Sequence, residues 1–120
     1  MKGEQYLTRT AQYGTVYKQG RSWAHPLLVT KAVPNGLEFS RYGLSVSRRV
    51  GNAVVRNRTK RLMREILRKT SLRPGWDIVF IARPAAAAAR YAALDAVVKG
   101  LLTRARLLSG EYEIACPETN

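Results

Sequence analysis

The stretch at residues 41–68 is RYGLSVSRRVGNAVVRNRTKRLMREILR, and the spacing of its apolar residues changes halfway along. Up to Val46 the apolar residues alternate with others, which predicts a β-strand over residues 37–47. Further on they recur every three or four residues, behind the good N-cap candidate Asn52. This spacing predicts a helix over residues 52–69. A strand that leads into an amphipathic helix is therefore the centre of the predicted fold.

The predicted helix has an apolar face and a basic face. The apolar stripe consists of Val55, Thr59, Leu62, Met63, Ile66 and Leu67. The opposite arc consists of Arg56, Asn57, Lys60, Arg61, Arg64 and Arg68, flanked by Arg58 and Lys69. Like charges four residues apart repel by about 0.2–0.5 kcal/mol per pair, so the basic column does not stabilise the fold. It becomes favourable when a polyanion neutralises it and releases counterions, and guanidinium groups suit bidentate phosphate contacts.

The charge of the whole chain is high and concentrated in one segment. The formal net charge is +13 over 120 residues. Residues 41–73 hold 11 Lys and Arg against one Glu, so ten of the 13 net charges lie there. Because apolar residues are interspersed through the same segment, we interpret it as a folded basic surface. The favoured partner is nucleic acid; a lipid surface is disfavoured, because the apolar face of the helix lacks Trp and Phe.

The length and the single cysteine narrow the class of protein. A chain of this size is predicted to form one domain over 1–120, with an ordered core at about 7–108 and a loose tail at 109–120. No run of 18 apolar residues and no apolar h-region is present, so we expect no membrane-spanning helix and no secretory signal. Cys116 alone cannot form an internal disulfide or a zinc cluster, and it fits a reducing cytoplasm.

The remaining elements complete an α/β pattern. A first helix is predicted at 8–20, a strand at 27–33 and a strongly apolar strand at 76–82. Five alanines at 85–89 predict a further helical segment, and residues 92–108 predict a last amphipathic helix. The order of helix, strands, basic helix, strand and helix indicates an α/β sandwich.

The residues around the basic helix resemble a known family. GNAVVRNRTKR at 51–61, with the Arg-Asn-Arg triplet inside it, is similar to the signature of the bacterial ribonuclease P protein subunit. The likeness extends to Tyr13-x-x-Val16-Tyr17 and to DIVFIARP at 77–84, and it covers residues 7 to about 108. The resemblance implies an α+β fold, a two-layer α/β sandwich with a central sheet, and a left-handed β-α-β crossover that contains the signature helix.

The resemblance also implies a function. In that family a catalytic RNA cleaves precursor tRNA, and the protein subunit binds this RNA and holds the 5′ leader of the substrate. The protein thereby assists removal of the leader and broadens the substrate range. The resemblance and the basic helix face together predict RNA-binding residues, which are Arg48, Arg49, Asn52, Arg56, Asn57, Arg58, Lys60, Arg61, Arg64 and Arg68. The predicted leader-binding cleft consists of Tyr13, Tyr17 and Lys31, since aromatic faces stack single-stranded bases.

No catalytic or metal-binding residue is predicted in the chain itself. The acidic residues show no spacing that gathers the carboxylates of a two-metal site, and His25 is the single histidine. No Gly-rich phosphate loop occurs, so we expect no cofactor on the protein and no small-molecule substrate. Under the resemblance the catalytic centre lies in the RNA, with Mg²⁺ expected there.

Two alternatives remain open. A structural RNA-binding protein, of ribosomal or chaperone-like type, fits the basic composition equally well. A DNA-binding module could use residues 52–69 as a recognition helix, although no short helix and tight turn is predicted before it.

Overall fold

A computed structural model describes residues 6–7 and 10–109. In chain order its elements are α1 (Thr10–Gln19), β1 (Arg21–Ala24), β2 (Leu28–Pro34), β3 (Arg41–Ser45), α2 (Ala53–Arg68), β4 (Trp76–Ala82), a 3₁₀ helix (Pro84–Ala88) and α3 (Tyr91–Ala105). Within the described residues, no helix is both long enough and apolar enough to cross a membrane.

The four strands form one mixed sheet in the order β1-β2-β4-β3. β2 pairs with both β1 and β4 in antiparallel fashion, whereas β3 and β4 are parallel, with Tyr42 opposite Ile78. Because parallel neighbours need a crossover connection, α2 carries the chain from β3 to β4. The predicted β-α-β unit is therefore confirmed, and its left hand stays a prediction.

One face of the sheet is covered by α2 and α3. Alternate residues of β4, among them Ile78 and Phe80, point into a core shared with Met63 and Ile66 of α2 and Leu94 of α3. All five side chains are at most 1% exposed. Burying a side chain of this size contributes about 1.5–3 kcal/mol, so this layer supplies most of the stabilisation. The predicted α+β sandwich is confirmed.

The other face of the sheet is only partly covered. Val16 of α1 packs with Val79 of β4 and with Leu7 in a second, smaller core. Ile81 is only partly buried against it, and Lys31 on the neighbouring strand is half-buried. α1 therefore leaves an open cleft between itself and the sheet.

The strand predicted at 37–47 is shorter than expected. Only Arg41–Ser45 pairs with β4, and the preceding residues form a loop. Asn35 holds that loop, because its Oδ1 accepts from the Leu37 amide at 2.8 Å and its Nδ2 donates to the Phe39 carbonyl at 3.2 Å. Phe39 therefore lies in a turn and not in the strand.

Three further elements differ from the sequence-based expectation. The edge strand β1 was not predicted, since RSWA is short and mostly exposed. The alanine segment is a 3₁₀ helix that ends where Ala89 becomes extended. α3 stops at Ala105 and not at residue 108, because Arg106 is left-handed with φ 61°. This turn lets Leu107 and Leu108 enter the core.

The end of the described chain is anchored. The Ser109 amide donates to the Ser71 carbonyl at 3.0 Å. The rest of the predicted loose tail, with Cys116, lies outside the described residues.

Candidate nucleic-acid interface

The cap residue Asn52 determines where α2 begins, and the apolar stripe determines which face of the helix packs on the core. Asn52 caps the helix, since its Oδ1 accepts from the Val55 amide at 3.0 Å, as the sequence predicted. The predicted apolar stripe faces the core: Thr59, Met63, Ile66 and Leu67 are buried, and Val55 and Leu62 are half-buried against them. Because one face is fixed in this way, the basic face is turned outward.

The outward face contains most of the predicted RNA-binding side chains. Asn57, Arg61 and Arg64 are exposed, and Lys60 is half-buried beside them. Arg56 is also half-buried, and its Nη1 donates to the Gly51 carbonyl at 3.0 Å, so it steadies the turn before the helix. The middle of α2 therefore presents unpaired cationic groups that suit phosphate oxygens.

The turn before α2 extends this face. Arg48 and Arg49 are exposed, and the turn is closed by hydrogen bonds from the Val50 amide to the Ser47 carbonyl and from the Gly51 amide to the Arg48 carbonyl. The cations lie next to the N-terminus of α2, whose first amides carry partial positive charge. Helix N-termini of this kind favour bound phosphate, and the flanking arginines add to that preference.

Arg58 differs from its neighbours because its guanidinium is used inside the fold. It is half-buried and donates to the carbonyl of Ala89 at 3.2 Å and to that of Ala87 at 3.5 Å. It therefore joins α2 to the 3₁₀ helix. The sequence predicted Arg58 as an RNA-binding residue at the flank of the basic face. In the structure its guanidinium is bonded to backbone carbonyls within the fold.

The C-terminal end of the basic face is partly neutralised. Glu65 accepts from Arg68 at 2.8 Å and from Lys69 at 3.0 Å. Hydrogen bonds from these two cations lower the pKa of the Glu65 carboxyl. The face is therefore most strongly cationic in its N-terminal and middle parts.

The cleft on the other side of the sheet contains the predicted aromatic pair. Tyr17 is 40% exposed, and Lys31 Nζ lies 5.8 Å from the centroid of its ring. Tyr13 is half-buried over Gly43, where an added Cβ would lie 2.6 Å from Tyr13 Cζ. Burial raises the pKa of the Tyr13 phenol.

The cleft and the basic face meet at one cavity. This cavity, of about 180 Å³, has walls from both sides: Tyr13 and Gly43 from the cleft, Lys60 and Arg64 from α2. Tyr6 and Tyr42 complete it, with ring centroids 4.9 Å apart. The sequence had not predicted these two tyrosines as site residues. The alternation around Tyr42 indicated only a core strand, and no local pattern marks Tyr6.

Asp77, Asp95 and the histidine are engaged away from the basic face and the cleft. Asp77 accepts from Arg41 at 2.8 Å and 2.6 Å, and Asp95 pairs with Lys99 at 2.7 Å. His25 Nδ1 accepts from the backbone amide two residues on, at 3.0 Å. Among the residues that the structure describes, no three His, Cys, Asp or Glu side chains are grouped so that they could hold a metal ion.

The comparisons with known proteins agree on one family. The family model described as "Ribonuclease P" matches residues 1–106. The chain is 52% identical over 113 residues to the "Ribonuclease P protein component" of Dehalococcoides mccartyi strain 195, with 94% of each chain covered. It is 43% identical over 113 residues to the protein of the same name from Roseiflexus castenholzii, with 92% of this chain and 93% of the relative covered.

Solved structures give the same result. The RNase P protein of Staphylococcus aureus superimposes with a TM-score of 0.79 at 30% identity, covering 88% of this chain and 98% of that one. The RNase P protein from Thermotoga maritima superimposes with a TM-score of 0.76 at 30% identity, covering 82% of this chain and 96% of that one.

Proposed function

The chain belongs to the ribonuclease P protein family, and from this membership we propose that it binds both the ribonuclease P RNA and the 5′ leader of precursor tRNA. As a component of ribonuclease P it is associated with an endoribonuclease and is a partner of that enzyme's RNA. In the proposed role it assists removal of the leader in tRNA 5′-end maturation and broadens the range of substrates that are cleaved.

The basic face of α2 is the proposed contact with the catalytic RNA. The support is the exposed cationic column, with Arg61 and Arg64 in the middle of the helix and Arg48 and Arg49 in the turn before it. Such a column recognises the charge and shape of an RNA more than its base sequence, because contacts to phosphates do not depend on which bases are present. It suits a folded RNA whose backbone presents many phosphates.

The cleft between α1 and the sheet is the proposed leader site. Tyr17 offers an exposed ring for stacking, and Lys31 offers a cation beside it for the backbone. The observation that carries the proposal is the cavity where Tyr13 meets Lys60 and Arg64. Because this cavity joins the cleft to the basic face, one continuous surface can hold the catalytic RNA and the leader of its substrate together.

We propose that cleavage itself is carried out by the RNA, with Mg²⁺ bound there, and that the complex acts in the cytoplasm. The support from this chain is the chemistry of its side chains. Among the described carboxylates, those of Asp77 and Glu65 are held by arginine and lysine partners. The role left to the protein is binding and positioning.

A reconstitution separates this function from the alternatives. The purified chain is mixed with the catalytic RNA and Mg²⁺, and cleavage of precursor tRNA is followed with each component left out in turn. We expect cleavage to require the RNA and to become faster with the protein. Co-purification of tagged chain should recover one folded RNA. Recovery of ribosomal subunits or of duplex DNA would instead favour the structural RNA-binding protein or the DNA-binding module.

A further inference from the structure

A groove at one end of the sheet takes no part in the proposed function. It consists of two cavities, of about 440 Å³ and 260 Å³, which share His25 in the turn between β1 and β2. Arg83, which follows β4, lines the first cavity, and Arg104, near the end of α3, lines the second. The groove therefore has a guanidinium group in each of its two parts, and the single histidine of the chain lies between them.

The fold holds both guanidinium groups at this groove. Arg104 Nη1 donates to the Ala24 carbonyl at 3.1 Å, and Arg83 Nη1 donates to the His25 carbonyl at 3.5 Å. A guanidinium has five N–H donors, so one bond to a carbonyl leaves donors for a ligand. Within the described part of the chain, neither arginine pairs with a carboxylate. Because both side chains are also exposed, their charge is available to an anion.

The turn between the two arginines is held by its own hydrogen bonds. His25 Nδ1 accepts from the Leu27 amide at 3.0 Å, so the neutral ring carries its hydrogen on Nε2. The His25 amide donates to the Leu28 carbonyl at 2.8 Å, and the Arg83 amide donates to the Leu27 carbonyl at 2.9 Å. The turn is therefore fixed against the end of β4 and places an imidazole N–H donor beside the two cations.

The floor of the second cavity is apolar and carries no bulky side chain. Ala96, Val97, Gly100 and Leu101 line it as one stripe of α3. A Cβ added at Gly100 would meet no atom within 4 Å, so the helix surface is open there. A paired RNA helix presents its phosphates and hydroxyls, whereas an unpaired base can be splayed out and stacked through its flat face. An apolar floor beside a cation therefore fits an unpaired nucleotide.

The groove lies at the same end of the sheet as the turn before α2. β3 and β4 are parallel, and Ser45 pairs with Ile81, so Arg48 and Arg49 follow β3 at the end where Arg83 follows β4. The outer strands β3 and β1 are three strand spacings apart, which is about 14 Å. A folded RNA that contacts the turn before α2 can therefore also reach the groove.

We propose that this groove is a second contact for the catalytic RNA, with phosphates of one strand on Arg83 and Arg104 and an unpaired base on the floor around Gly100. The proposal rests on the proposed function, in which the basic face of α2 binds the same RNA. Two contacts at one end of the sheet fix the orientation of the protein on the RNA. Because α3 covers the face of the sheet opposite to the cleft, the cleft is left for the leader.

The phosphate contacts are tested by titrating the catalytic RNA, without tRNA, over a salt series. Arg83→Ala and Arg104→Ala should each lower the slope of log binding constant against log salt by about 1. Arg73→Ala is the matched control, because Arg73 precedes β4 at the opposite end of that strand and its Nη1 also donates to a carbonyl, at 3.4 Å. The control should keep the slope of the parent. Unchanged slopes in the two groove variants, or an equal fall in the control, would overturn the phosphate contacts.

Gly100→Leu tests the floor of the groove without removing a charge. Leucine is a better helix former than glycine, so the variant should keep its fold while its side chain occupies the open surface. It should bind the catalytic RNA about five-fold or more weakly, the size of one lost base contact, with an unchanged salt slope. Gly14→Leu is the matched control on α1, where an added Cβ also meets no atom within 4 Å, and it should bind like the parent. A Gly100→Leu variant with the affinity of the parent would contradict the base contact.

Arg61→Ala, measured in parallel, separates this inference from the proposed function. A lower slope in Arg61→Ala, together with parental slopes in Arg83→Ala and Arg104→Ala, would count against the groove alone. The reverse pattern would support the groove and count against the contact proposed for α2. If the groove variants bound the catalytic RNA like the parent but weakened the binding of precursor tRNA to the complex, the occupant would be the substrate and the proposal would be wrong.

Discussion

Tyr13 and Tyr17 lie one turn apart on α1, and their rings differ in how accessible they are to a ligand. Tyr13 is half-buried and lies over Gly43, so one face of its ring is covered. Tyr17 is 40% exposed next to Lys31. A base that stacks needs an accessible ring face. In the proposed leader site, Tyr17 is therefore the expected stacking platform, and Tyr13 forms the wall beside it.

Replacing Tyr17 tests this difference. Tyr17→Ala should weaken the binding of precursor tRNA to the reconstituted complex by about 1–3 kcal/mol for each stacked base, measured as a change in Kd. Tyr17→Phe keeps the ring and should bind like the parent. Equal losses in both variants would mean that the hydroxyl, and not the ring, makes the contact.

The close approach at Gly43 makes a second prediction at this scale. Gly43→Ala forces the Tyr13 ring to move and should lower the free energy of unfolding by about 1–3 kcal/mol in urea titrations. Gly14→Ala is the matched control, because an added Cβ there meets no atom within 4 Å. That change, inside α1, should raise the free energy of unfolding by about 0.5–1 kcal/mol. Opposite signs are expected, and a neutral Gly43→Ala would contradict the contact.

Arginines on α2 should also divide into two kinds. Arg58→Ala removes the bonds to the Ala87 and Ala89 carbonyls and should lower the free energy of unfolding by about 1.5–3 kcal/mol. Arg61→Ala removes an exposed cation and should leave stability unchanged, while the slope of log binding constant against log salt falls by about 1. The two measurements are urea unfolding and RNA titration over a salt series. A normal salt slope for Arg61→Ala would exclude a phosphate contact there.

At the scale of elements, long and strongly patterned segments were predicted well. α2 begins after Asn52, and β4 covers Trp76–Ala82, as the sequence indicated. β1 was missed because four residues carry little periodic signal and become a strand only by pairing with β2. The strand at 37–47 was predicted too long, since the loop that shortens it depends on hydrogen bonds to Asn35.

One part of the candidate site could likewise be predicted from the sequence, and another part could not. The outward face of α2 follows from helical periodicity, which the sequence shows directly. The cavity that joins this face to the cleft depends on the contact between Tyr6 and Tyr42, which are 36 positions apart in the chain. A contact of that kind arises from tertiary packing, so no local pattern could predict it.

The apolar side of α2 gives the prediction for this scale. Ile66 is fully buried, and Ile66→Ala should lower the free energy of unfolding by about 2–5 kcal/mol. Leu62→Ala should lower the free energy of unfolding by less, because Leu62 is only half-buried. Val54, which is 77% exposed on the same helix, is the matched control and should tolerate Ala within about 0.5 kcal/mol. Thermal or urea unfolding measures all three, and equal stabilities would contradict the assigned faces.

At the scale of the whole molecule, two surfaces with different chemistry are continuous. α2 presents exposed cations, which we propose contact a folded RNA, and the partly covered face of the sheet presents an aromatic ring and a lysine, which we propose contact a single strand. Lys60 and Arg64 lie where the two meet. Under the proposed function, this arrangement would let a small protein hold the catalytic RNA and the leader of its substrate at once and assist cleavage by positioning them.

The most direct test of this account compares precursor tRNA with mature tRNA. Dissociation constants are measured for the catalytic RNA with and without the protein, over a series of leader lengths and sequences. The protein should tighten the binding of precursor tRNA more than that of mature tRNA. The gain should grow over the first few leader nucleotides, level off once the cleft is filled, and depend weakly on leader sequence. An equal gain for mature and precursor tRNA at every leader length would contradict the account, because the protein would then act only on the catalytic RNA and not on the leader.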